Sequence, residues 1–96
     1  MTQRPRAGIE AALLQKGFRR EPGGDHRYYR LWADGRKSSI ATKISTGTGY
    51  KEYGDSLLGM MARQLHLTKG DLLRLVDCDL DGPGYVAMLR TNGVRL

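Results

Sequence analysis

The sequence is poor in several things that would narrow its class at once. It has one cysteine, one tryptophan and one phenylalanine in 96 residues. A single cysteine, Cys78, excludes an internal disulfide and any multi-cysteine metal site, and points to a reducing, cytoplasmic setting. The two histidines, His26 and His66, lie far apart and leave no zinc-ligand spacing. Unbroken apolar runs are only a few residues long, as in Ala11-Ala12-Leu13-Leu14. No segment therefore reads as a bilayer span or a signal-peptide core, and no membrane partner is expected. Internal repeats, low-complexity tracts and long linkers are also missing. Acidic residues are scarce in one half: residues 1–50 hold ten basic and four acidic residues, whereas residues 51–96 hold six of each. The whole formal charge of +6 thus belongs to the first half. That asymmetry favours a polyanion partner, with nucleic acid ahead of membrane.

What is present fits one small globular domain over residues 1–96, with 40% apolar and 27% charged residues. Residues 1–5 read as a loose arm. Ile9, Ala12, Leu13 and the stem of Lys16 make a helical stripe over Arg6–Lys16, and Gly17 supplies the stop. Phe18–Glu21 suits a short strand ended by Pro22-Gly23-Gly24. His26–Trp32, rich in Tyr and Trp, suits a second strand, with Tyr28, Arg30 and Trp32 on one face and Arg27, Tyr29 and Leu31 on the other. Asp34-Gly35 predicts a hairpin, and Arg36–Ile44 the return strand. After a loop at Ser45–Gly49, a helix is expected at Asp55–His66, capped by Asp55 or Ser56. Thr68 and Asp71 mark a capping box for a third helix. Asp81-Gly82-Pro83-Gly84 reads as a break before a last short helix at Tyr85–Arg90. The expected architecture is α+β: a helix, a three-stranded antiparallel sheet and a helix, with additional C-terminal helices, all on one sheet face.

Several constellations bear on function. His26 follows a glycine turn and begins a strand beside Arg27 and Arg30. Cleavage of RNA by its own ribose 2′-hydroxyl needs a base near neutral pKa and positive charge for the phosphate oxygens. His26 with nearby arginines supplies those types; the competing reading is a surface histidine capping a turn. Leu57–Val76 has helix–turn–helix spacing, but its second helix carries only Lys69, Asp71 and Arg74, so two core helices read better. Asp77-Cys78-Asp79-Leu80-Asp81-Gly82 matches half of a calcium loop, yet Met88 stands where the bidentate glutamate belongs, and an acidic helix end is the better reading. Gly47-Thr48-Gly49 reads as a connector that could bring amides near a phosphate. Tyr28, Trp32, Tyr50 and Tyr53 could stack on unpaired bases or pack against the sheet and helices.

The run Gly17-Phe18, then Gly24-Asp25-His26-Arg27-Tyr28-Tyr29-Arg30, then Asp34-Gly35-Arg36, followed by an amphipathic helix, resembles the HicA toxin family. The resemblance covers residues 6–67 and leaves residues 68–96 as a helical extension. It implies a double-stranded-RNA-binding-like fold and a metal-independent endoribonuclease that cleaves mRNA. His26 would be the general base, no cofactor would be needed, and a HicB-like antitoxin would cover the site. Arg19, Arg20, Arg27, Arg30 and Lys43 are the candidate phosphate contacts. One departure stands in the motif: the family's Ser is Asp25 here. The alternative is a non-catalytic RNA- or DNA-binding module of the same fold.

Overall fold

A computed structural model describes residues 3–21, 26–45 and 52–96. The order of elements is β1 (Arg4–Pro5), α1 (Arg6–Gln15), β2 (Phe18–Glu21), β3 (His26–Ala33), β4 (Arg36–Ser45), β5 (Glu52–Tyr53), α2 (Asp55–Gln64), α3 (Lys69–Val76) and α4 (Gly82–Thr91). The class is the expected α+β. β2, β3 and β4 form an antiparallel sheet in sequence order, and the helices cover one of its faces. The tight β3–β4 turn needs left-handed backbone at both corners, and Asp34 and Gly35 provide it with φ of 54° and 74°. The motif segment Pro22–Asp25 and the expected loop at Thr46–Gly49 lie outside the described residues.

Alternation sorts the sheet. Phe18, Tyr29, Leu31, Ile40, Thr42 and Ile44 point to the helices and are buried. The α1 stripe meets them with Ile9, Ala12, Leu13 and the stem of Lys16, all buried as the spacing requires. Each such aliphatic or aromatic side chain contributes roughly 1.5–3 kcal/mol by leaving water. The pairing of β3 with β4 shifts between Arg30 and Trp32. There Ser38 repairs the broken ladder: its Oγ donates to the Leu31 carbonyl at 2.7 Å and accepts from the Ile40 amide at 3.1 Å. The shift is by an even number of residues, so Trp32 keeps the face of Arg30.

Three expectations need correction. The loose arm is shorter than expected, because Arg4–Pro5 pairs with Glu52–Tyr53 and ties the start of α1 to the start of α2. Arg4 also donates twice to the Asp77 carboxylate, from Nε at 2.8 Å and from the guanidinium terminus at 2.7 Å. The N-cap of α2 is Gly54, not Asp55 or Ser56. Asp81-Gly82-Pro83-Gly84 is not a break: Asp81 caps α4 by accepting from the Gly84 amide at 2.7 Å, and Pro83 sits in the first turn, where its missing N–H costs nothing. The helical extension at residues 68–96 packs into the same core as the sheet through Leu72, Leu75, Leu80, Tyr85 and Leu89. Tyr85 stacks on Phe18, with ring centroids 6.0 Å apart, and its hydroxyl donates to the Leu65 carbonyl at 2.8 Å.

Candidate nucleic-acid interface

The face of the sheet away from the helices carries Arg19, Glu21, Tyr28, Arg30, Trp32, Lys37, Ser39 and Lys43. Among the described residues, four cations stand there against one carboxylate, Glu21. Strand register sets Arg19 opposite Arg30 and Tyr28 opposite Lys43. Arg30 and Lys37 share Glu21, at 2.9 and 3.1 Å. Those two bonds hold the Glu21 carboxyl below its ordinary range. The Arg19 guanidinium lies over the Trp32 ring, 4.1 Å from its centroid. Lys43 is exposed and has no ion pair among the described residues. Tyr28 is one of the few large hydrophobic side chains left open to solvent.

The five expected phosphate contacts are divided between the two faces. Arg19, Arg30 and Lys43 lie on the open side. Arg20 pairs in register with Tyr29, and Arg27 with Ile44, so both belong to the helix side. Arg27 is engaged there: it donates to the Glu10 carboxylate at 2.9 Å, and the Tyr29 hydroxyl donates to the same oxygen at 2.6 Å. Burial alone would raise the Glu10 carboxyl, but the bonds from Tyr29 and Arg27 and the nearby Arg6 outweigh it and hold the group below its usual range. The Tyr29 hydroxyl is pushed up to about 12, first by burial and then by its bond to Glu10. Sequence patterning missed Glu10. Its place on α1 marks no partner on the sheet, and only the packing of α1 on β3 brings it to Tyr29.

His26 opens β3, its backbone opposite Ser45 at the end of the sheet's longest pairing. The flanking Gly24-Asp25 of the motif, the Gly47-Thr48-Gly49 connector and Tyr50 lie outside the described residues. Tyr53 is buried in the core rather than open for stacking. The α2–α3 segment is built as a core pair: Leu72 and Leu75 are fully buried, Lys69 is bound to Asp55, and Arg74 to Asp71. The three aspartates of the calcium-like run do separate jobs. Asp77 holds Arg4, Asp79 gives its amide to the Arg74 carbonyl, and Asp81 caps α4. No helix is long and apolar enough to cross a membrane among the described residues.

Beside the open face lies a groove of about 440 Å³ between the end of α1, the β3–β4 hairpin and α4. Trp32, Pro83, Val86 and Ala87 give it apolar walls, and Gln15, Lys16 and Arg90 also line it. Arg90 is bound to Asp34, which links α4 to the hairpin across one side. Compared with known family models, curated proteins and solved structures, the chain matches none.

Proposed function

We propose that this protein binds RNA on the open face of its sheet and is a HicA-like endoribonuclease acting in the cytoplasm. The observation that supports the reading best is the uncovered basic face itself, with Arg19, Arg30 and Lys43 set among Tyr28 and Trp32. Cations at strand spacing suit a phosphate backbone, and aromatic rings suit unpaired bases. In the proposed reaction His26 takes the proton of a ribose 2′-hydroxyl. The 2′-oxygen attacks the adjacent phosphorus, and the bond from phosphorus to the 5′-oxygen breaks. The leaving oxygen takes a proton from water, giving a 2′,3′-cyclic phosphate and a 5′-hydroxyl end. Positive charge from the open face steadies the crowded phosphate. A HicB-like antitoxin is the proposed protein partner.

A second reading is a non-catalytic binding module of the same fold. Asp25, standing where the motif has Ser, favours it, because a carboxylate beside the base repels the incoming phosphate. One comparison separates the two. Wild type and His26→Ala are expressed from a tight promoter while growth and RNA integrity are followed. The enzyme reading expects RNA loss and growth arrest with wild type only. RNA intact in both, with salt-dependent RNA binding retained in both, leaves the binding module. With three phosphate contacts on a single strand, the logarithm of affinity should fall against that of salt with a slope on the order of −2.

A further inference from the structure

We infer that the groove beside the sheet is a pocket for one unpaired base of a single-stranded RNA lying on the open face. This deepens the RNA-binding reading and rests on it. Trp32 carries the argument, because it belongs to both places. On the sheet it shares the open side with Arg30 and lies under the Arg19 guanidinium, 4.1 Å from its ring centroid. It also lines the groove, opposite Pro83, Val86 and Ala87 of α4. A strand held by Arg19 therefore passes the mouth of an apolar slot walled by an aromatic residue. The slot holds about 440 Å³, within the range of small-ligand pockets. Its polar side chains are Gln15, Lys16 and the Asp34–Arg90 pair: the Gln15 amide nitrogen offers a donor, its oxygen accepting from the Cys78 thiol, and the ion pair links α4 to the hairpin. A flat group with apolar faces and hydrogen-bonding edges fits that distribution. A base in a duplex keeps its edges paired and its faces stacked, so only an unpaired base can enter.

Trp32 is the sole tryptophan, so its fluorescence reports the site directly. A short single-stranded oligoribonucleotide should quench it. A duplex of the same length should compete for the phosphate contacts without quenching. A mononucleotide should quench only at far higher concentration. Ala87 is exposed on α4 and lines the groove, so Ala87→Phe fills the slot with little expected cost to the core. It should weaken single-strand binding by about tenfold, the loss of one stacked base, and leave the salt slope unchanged. Unchanged affinity and quenching in Ala87→Phe would overturn the pocket while leaving RNA binding on the sheet intact. Equal quenching by the duplex would also overturn it, and so would a mononucleotide that binds as tightly as the oligonucleotide. The absence of any salt-dependent RNA binding by wild type would defeat the underlying reading, and the pocket with it.

Discussion

At the scale of single residues, helix ends are where this chain carries strain. After α2 and α3 the backbone turns left-handed at His66 and Cys78, with φ of 58° and 67°. Both ends close with the paired bonds of a Schellman turn: Leu67 donates to the Ala62 carbonyl, and Asp79 to the Arg74 carbonyl. Residues with a Cβ pay roughly 1–2 kcal/mol for that conformation, whereas glycine adopts it freely. His66 is exposed, so His66→Gly should raise stability by about 1 kcal/mol, read as a higher midpoint in thermal unfolding. The converse holds at Gly17, where φ is 98° and a Cβ would lie 3.3 Å from the Trp32 carbonyl oxygen. Gly17→Ala should lower the midpoint. Gly17 was legible as a helix stop, because glycine after an apolar stripe is a strong signal. The helix end at His66 was legible too, but the left-handed turns at His66 and Cys78 were not, because neither residue type is as strong a signal for them as glycine.

At the scale of elements, α4 shows an apparent chain break that is a helix start. Gly-Pro-Gly reads as a break, yet Gly82–Thr91 is a helix. Two physical facts explain it. Proline in a first turn loses no hydrogen bond, and Asp81 supplies the cap. Gly82 is there for closeness: a Cβ would sit 3.0 Å from the Lys16 carbonyl oxygen at the end of α1. Backbone cannot swing aside, so Gly82→Ala should cost about 1–3 kcal/mol. Asp81→Ala, which loses only the cap, should cost about 1 kcal/mol. Denaturant midpoints of the two variants check that order. The three strands were legible to within a residue or two, since alternation and the Asp34-Gly35 turn are local signals. The β1–β5 pairing was not, because two-residue strands carry no period.

At the scale of the whole molecule, the Glu10–Arg27–Tyr29 cluster joins α1 to the central strand and sets a pH dependence. The folded Glu10 carboxyl lies below its ordinary value. Its stabilising contribution is therefore complete above the unfolded value of about 4.3, and is lost as pH falls through the lower folded value. Tyr29 works at the other end. Its folded hydroxyl is pushed up to about 12 against about 10 when unfolded, so its contribution is complete below pH 10 and lost as pH rises towards the folded value. Glu10→Gln should cost about 1 kcal/mol at neutral pH, the Arg27 arm being screened by solvent, and should flatten the acid limb of a plot of urea midpoint against pH. An acid limb as steep as that of wild type would show that other carboxylates set it. The same variant should bring the Tyr29 titration down, followed by the tyrosinate absorbance.

Local patterning by itself determined the α+β class, the three strands and their two faces, α1, and the basic character of residues 1–50. Each of these follows from a period, a turn residue or a count. The tertiary structure decided which cations share a surface. Arg19, Arg30 and Lys43 meet on the open side, while Arg20 and Arg27 turn to the helices, because strand pairing gives alternate residues opposite faces. It also decided that residues 68–96 complete the core: Tyr85 reaches Phe18 and the Leu65 carbonyl across long sequence separations that no local pattern encodes. And it set α4 beside Trp32, forming a groove from residues of α1, the hairpin and α4 that only the folded chain brings within reach of one another.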